Sequence, residues 1–244
     1  KDSSFKNLEA KLADSEEEKN QKPLTQDPPS EKLMALINAY KQGNLEETLS
    51  DLAKTLNEYP KSAILFNLQG AINAGLKNFD FAIESYKQAI KIKPNFAEAY
   101  NNLGAVLKSR GDLDIAINNY DQAIKIKPDY AEAYNNKGNA LKDQGNMEMA
   151  IDNYMQAVKI KPDYAEAYNN MGLIRKEKGD LEASLENFKQ AIKIKPDYAE
   201  AYNNMGIALK DSGKLEAAID NYKQSLKIKP DYAEAYNNLG NALE

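Results

Sequence analysis

The chain has 244 residues, with 32 basic and 37 acidic side chains, no cysteine and no histidine. Without cysteine there is no disulfide and no thiolate, and without histidine the commonest metal ligand and general base is missing, so few routes to catalysis, cofactor chemistry or metal binding remain. At a net charge of −5 no basic block stands ready to grip phosphates, and no apolar run approaches the ~20 residues that span a bilayer, so neither nucleic acid nor membrane is an expected partner.

Residues 1–28 hold an acidic cluster at Glu16, Glu17 and Glu18 and prolines at Pro23 and Pro28, and read as a flexible or partly helical N-terminal segment. Within it Phe5, Leu8 and Leu12 share one face of a short helix, being three and four residues apart. No signal-peptide core precedes residue 29, which predicts a soluble, cytoplasmic protein.

From Pro29 the chain is periodic. The stretch Lys125 to Asn136, Lys-Ile-Lys-Pro-Asp-Tyr-Ala-Glu-Ala-Tyr-Asn-Asn, returns unchanged at Lys159, Lys193 and Lys227, each time 34 residues on. It occurs once earlier, at Lys91, with Asn95 and Phe96 in place of Asp and Tyr. A fixed period of this size marks an array in which each unit packs on its neighbours. With the proline that closes the shared stretch counted as place 32, the units are 29–62, 63–96, 97–130, 131–164, 165–198 and 199–232, with a half-unit, 233–244, at the end.

Within 131–164, Tyr134, Gly138 and Leu141 recur at helical spacing, as do Ala150, Tyr154 and Ala157; Gly145-Asn146 breaks the chain between the stripes and Pro162 ends the second. Each unit is therefore expected to be a helical hairpin, the whole an all-α solenoid without strand. Gly138 and Ala150 have almost no side chain, so the two backbones can approach where they cross, while Tyr134 and Tyr154 fill the space around them. Asp129 before the first helix, with Glu132 three residues on, predicts a capping box, and the same capping accounts for the row Glu98, Glu132, Glu166, Glu200 and Glu234 at place 2.

With aromatic, Gly, Ala, aromatic, Ala and Pro at places 4, 8, 20, 24, 27 and 32, the chain resembles the tetratricopeptide repeat, strongly over 63–244 and weakly over 29–62, where Leu36 replaces Gly and Thr48 replaces Ala. The Lys-Pro-Asp-Tyr-Ala-Glu-Ala-Tyr-Asn-Asn run is similar to the repeats of O-linked N-acetylglucosamine transferases and of bacterial multidomain proteins. The resemblance implies a right-handed superhelix whose concave side is lined by first helices, with an Asn at place 6 forming a ladder that bonds the backbone of an extended peptide. Here that place holds Asn102, Asn136, Asn170, Asn204 and Asn238, and Asn101, Asn135, Asn169 and Asn203 before them at place 5 are expected to join them as peptide-binding residues. An Asn amide can answer both the N–H and the C=O of an extended chain. The competing reading is that Asn pairs at places 5 and 6 bond each other between units and hold the stack. On the ladder reading, replacing Asn136, Asn170 and Asn204 by Ala leaves melting little changed, because Ala is the better helix former.

Chaperone-binding members of the family clamp a C-terminal carboxylate with Lys at place 5; Asn stands there in this chain, so that clamp is absent. Lys137 at place 7 and Arg175 at place 11 stand where other units carry apolar residues, and read either as stems laid on apolar surface or as a local anion pocket. No nucleotide loop, zinc spacing or nucleophile elbow occurs. The chain is thus expected to be a noncatalytic scaffold for a protein or peptide in extended conformation, with no cofactor. Two further readings are the recruiting arm of an enzyme whose catalytic domain lies beyond residue 244, and a self-assembling repeat. In the last, the face of 233–244 bearing Tyr236, Gly240 and Leu243 lacks a covering helix and associates weakly with a second copy.

Overall fold

The structure, a computed structural model, describes residues 27–244, so the Phe5, Leu8 and Leu12 stripe lies outside the described residues. All regular structure among them is helical: thirteen helices and no strand. They are α1 (Ser30–Lys41), α2 (Leu45–Glu58), α3 (Ala63–Gly75), α4 (Phe79–Ile92), α5 (Ala97–Arg110), α6 (Leu113–Ile126) and α7 (Ala131–Asp143). Next in the chain are α8 (Met147–Ile160), α9 (Ala165–Glu177), α10 (Leu181–Ile194), α11 (Ala199–Asp211), α12 (Leu215–Ile228) and α13 (Ala233–Leu243). The chain divides into two compact units, the first ending at Asn102 and the second running from Leu103 to Glu244.

Both kinds of turn are set by local chemistry. After α7 the N–H of Gly145 bonds Lys142 O at 2.9 Å and that of Asn146 bonds Leu141 O at 2.8 Å, the paired closure that needs a left-handed residue just past the helix. Gly145 supplies it at φ 88°. In the hairpin of α3 and α4 this duty falls to Lys77, at φ 62°, a conformation that crowds an ordinary side chain. At the other end Pro162 forces Lys161 into an extended conformation, φ −125° and ψ 90°, and the chain turns back.

Residues 27–102 pack α1 on α2, α2 on α3 and α3 on α4, around Leu36, Leu52, Leu65, Leu68 and Ile72. The departures from the repeat lie inside this core: Leu36 fills the glycine place, and Thr48 is buried with its hydroxyl donating to Asn44 O at 2.6 Å. From Leu103 onward each second helix packs on the next first helix, and first helices also meet one another, α7 with α9, α9 with α11 and α11 with α13. Here the core is a string of clusters, one around Tyr154, Met171 and Ile174 and another around Phe188, Leu209 and Tyr222.

The expected glycine–aromatic crossing is present in each hairpin from α3/α4 on. A Cβ built on Gly138 would lie 2.6 Å from Tyr154 Cε1, and one on Gly172 the same distance from Phe188 Cε1. Real carbons do not approach so closely, so the ring lies on bare backbone and a methyl group would push it out of a closed core. Where the repeat carries Ser instead of Ala, the hydroxyl is buried and satisfied: Ser184 donates to Gly172 O and Ser225 to Ala199 O, both at 2.8 Å, tying second helices to first ones.

The capping box does not form at α7. Its N-cap is Tyr130, with no side-chain cap bond, and Asp129 sits in the turn one residue too early. The physical cause is the tyrosine: Lys127 Nζ lies 4.7 Å from the centre of its ring, and this clip draws Tyr130 rather than the carboxylate to the helix start. The clip recurs at Lys161 and Tyr164, Lys195 and Tyr198, and Lys229 and Tyr232. The place-2 glutamates stand in first turns, where the helix dipole favours them, and are also used between helices. Glu200 lies 3.6 Å from Lys229 Nζ, and Glu234 Oε1 accepts from Asn203 Nδ2 at 3.2 Å.

Candidate functional site

The first helices of residues 103–244 carry the place-6 asparagines as a half-buried row, Asn136, Asn170, Asn204 and Asn238. Contact between successive first helices brings each of the last three amides to the place-5 amide of the preceding pair. Asn170 Nδ2 donates to Asn135 Oδ1 at 3.3 Å, Asn204 Nδ2 to Asn169 Oδ1 at 3.0 Å and Asn238 Nδ2 to Asn203 Oδ1 at 2.9 Å. In the first unit Asn102 does the same toward Asn67, at 3.2 Å. Asn67 escapes notice in the sequence, although it already stands at place 5 of its unit; only the Leu68 after it breaks the pair.

The place-5 residues are interior. Asn101, Asn135 and Asn169 are each 5% exposed and Asn203 is fully buried, so these amides face protein. Asn135 and Asn203 also donate to the hydroxyls of Tyr164 and Tyr232. Burial is the main reason those two phenols are pushed up to about 12, with neighbouring glutamates adding to it and the asparagine bonds opposing it. Tyr198, between them in sequence, is likewise raised to about 12, first by burial and then by Glu166, Glu200, Tyr164 and Tyr232. Asn, Tyr, Glu and Lys from successive units thus form one continuous joint.

The place-6 residues share in that joint, with the bonds between units that the competing reading expects, so their removal is expected to lower melting rather than leave it unchanged. Deleting Asn204, for instance, leaves a buried carbonyl of Asn169 without its donor. An orphaned acceptor costs about 1–3 kcal/mol, more than the few tenths gained from a better helix former. Each amide is nonetheless only partly used. Among the described residues, the oxygens of Asn170, Asn204 and Asn238 accept no side-chain bond, and the bonds to the preceding unit hold the amides in one orientation.

Asn139 is a second residue that sequence reading passes over. Its Oδ1 accepts from Tyr154 Oη at 2.7 Å and from Asn170 Nδ2 at 3.1 Å, linking two hairpins. The corresponding residues of the neighbouring pairs are Ala105, Leu173 and Ile207. Opposite Leu173 the aromatic is Phe188, which needs no partner; opposite Ile207 it is Tyr222, whose buried hydroxyl has none.

The anion pocket weighed for Lys137 is not there. Its ammonium is 2.6 Å from Asp121 Oδ1, and the space beside it is bounded also by Asp114 and Asp152. Arg175 is half buried. At α13, Ala235 and Ala242 are buried against the stack, whereas Tyr236 is 55% and Leu243 66% exposed, and nothing lies within 4 Å of a Cβ built on Gly240. Among the described residues no helix is long and apolar enough to cross a membrane, and no group of His, Cys, Asp and Glu is placed to hold a metal ion.

A family model described as TPR repeat matches the chain over residues 76–109, 106–145, 138–179, 172–213 and 208–244. Among solved structures, the MamA protein is similar at 27% identity, covering 70% of this chain and 94% of that one with a TM-score of 0.59. YrrB, described as a TPR protein with an unusual peptide-binding site, matches at 20% identity over 76% of this chain and 96% of its own, TM-score 0.58. A chain of the APC/C hetero-tetramer Cut9-Hcn1 shares 18% identity over 92% of this chain and 44% of that one, TM-score 0.78. The last two likenesses are of fold alone. Compared with curated proteins, the chain matches none.

Proposed function

The chain belongs to the tetratricopeptide repeat family, and on that premise we propose that it is a noncatalytic scaffold whose first helices hold an extended segment of a partner protein along the place-6 asparagines. The observation that carries the reading is the row Asn136, Asn170, Asn204 and Asn238: half-exposed amides on successive first helices. Anchoring of Asn170, Asn204 and Asn238 to the preceding unit, far from competing with binding, fixes the outward oxygens before a ligand arrives, which lowers the ordering cost of association. The buried place-5 asparagines act as the supports that aim them, and do not themselves touch the ligand. A row of identical amides meets the repeating N–H and C=O of a backbone and reads no side chain, so the groove takes many sequences in extended form.

The test compares the chain with its Asn136→Ala, Asn170→Ala, Asn204→Ala variant for capture of a mixture of unstructured peptides, at a temperature where circular dichroism shows both folded. Capture is expected to weaken at least about ten-fold, the equivalent of ~1.4 kcal/mol, and backbone N-methylated peptides are expected to be ignored by both proteins. Unchanged capture by the folded variant, or equal capture of methylated peptides, would falsify the ladder.

The open face of Tyr236, Gly240 and Leu243 supports a second, weaker association, between copies of the chain. Light scattering across a concentration series is expected to show a rising mass that Tyr236→Ser with Leu243→Ser abolishes. A mass independent of concentration would remove this reading.

A further inference from the structure

The array supplies its own internal standard, since a side chain that departs from the residue its place holds in other units answers to something besides the stack. Two such departures meet. Lys137 stands where other units carry Leu103, Met171, Met205 and Leu239, and Asp121 where they carry Lys87, Met155, Lys189 and Lys223. The two charges lie 2.6 Å apart, joining α6 to α7. They border an open cleft of about 580 Å³ between α6 and α8, whose walls include Asp114, Leu141, Met149 and Asp152.

The cleft is chemically uneven. Met149 is 49% exposed; the two earlier units also present an apolar side chain at this place, Phe81 and Ile115, whereas the two later units carry Ala183 and Ala217, so Met149 is the last of an apolar series and the one that borders this cleft. Asp114 accepts from Gln144 at 2.6 Å and Asp121 is paired with Lys137, whereas the carboxylate of Asp152, exposed on α8, has no hydrogen-bond or ion-pair partner among the described residues. Three carboxylates against one ammonium leave two negative charges beside an exposed thioether.

We propose that this cleft on the second helices docks a lysine- or arginine-bearing amphipathic segment of a partner protein, with its apolar side laid on Met149 and Leu141 and a cation facing Asp152. A flexible, polarisable methionine adapts to whatever apolar side chain covers it, and a carboxylate with no internal partner is the natural counter-ion for an incoming cation. Because Lys137 is held by Asp121, the cleft has no ammonium free to repel that cation. An acidic segment would instead meet Asp114, Asp121 and Asp152 together, so charge also decides what is refused. The surface is formed without the asparagine rows and does not depend on the groove reading.

The probe is a labelled helical peptide with leucines on one face and lysines on the other, titrated against the full chain by fluorescence anisotropy. Met149→Ala with Asp152→Asn is expected to weaken binding about ten-fold or more. Both replacements copy residues that other units already carry at those places, Ala183 and Asn118, and circular dichroism verifies the fold. Asp220→Asn removes the same charge from the same place of a later unit and is expected to change affinity by less than about two-fold. A copy of the peptide with glutamates for lysines is expected not to bind. The proposal is overturned if the double variant binds as the parent does, if Asp220→Asn weakens binding equally, or if the lysine peptide shows no saturable binding.

Discussion

Tyr154 and Tyr222 occupy the same place in two hairpins, both fully buried, and yet their hydroxyls stand in opposite situations. Tyr154→Phe deletes a 2.7 Å bond to Asn139 Oδ1, which keeps its second donor, Asn170 Nδ2, at 3.1 Å. The loss is that of one ordinary bond without an orphaned partner, about 0.5–1.5 kcal/mol. Tyr222→Phe deletes a hydroxyl that has no partner and whose phenol is pushed up to about 12, chiefly by burial. Removing that desolvated group returns about 1–3 kcal/mol, and the resulting Phe opposite Ile207 reproduces the natural pairing of Phe188 with Leu173. The two variants are therefore expected to move stability in opposite directions, separated by about 1.5–4.5 kcal/mol. Urea unfolding followed by circular dichroism measures this in the full chain, where each pair contributes its own and its neighbour terms to the whole. If both variants lower the midpoint alike, a hydroxyl partner has no part in the stability of this place and the reasoning fails.

Lys77→Gly is expected to raise the urea midpoint by the equivalent of about 1 kcal/mol, because relief of the left-handed conformation, ~1–2 kcal/mol, exceeds the extra freedom glycine gains in the unfolded chain, ~0.4–1 kcal/mol; a lowered midpoint would show that the Lys side chain contributes more than the strain it carries. Alkaline pH is expected to loosen the stack. Tyr164, Tyr198 and Tyr232, raised by burial to about 12 from an ordinary 10, favour folding in their neutral form, so their contribution is whole below pH 10 and is lost as pH rises from 10 to 12. A melting curve series with tyrosinate absorbance tracks this, and titration of every tyrosine at its ordinary value would contradict the joint between units.

Residue order alone determines whatever one unit settles locally and the array then repeats. Gly145 past α7, Pro162 past α8 and the Gly138–Tyr154 crossing need only a hairpin's own residues, and all are legible from spacing and side-chain size. Turn conformation and small-against-large packing act over a few residues or across one crossing, so a period of 34 states them again and again. The asparagines mark the limit. Their recurrence is plain, but whether an amide faces a ligand or a neighbour depends on the angle at which one pair meets the next, and that angle joins residues 35 apart, Asn170 to Asn135 and Asn204 to Asn169. Asp129 passes for a cap for a related reason: the competing clip of Lys127 on Tyr130 is a matter of geometry that an acid-before-helix pattern does not contain. Lys137 shows the same division, since the sequence marks it as out of place while its partner, Asp121, lies on another helix of another unit. These contacts emerge only from the folded array, because a periodic sequence repeats which side chains are present, whereas the distance between them is set by how successive hairpins stack.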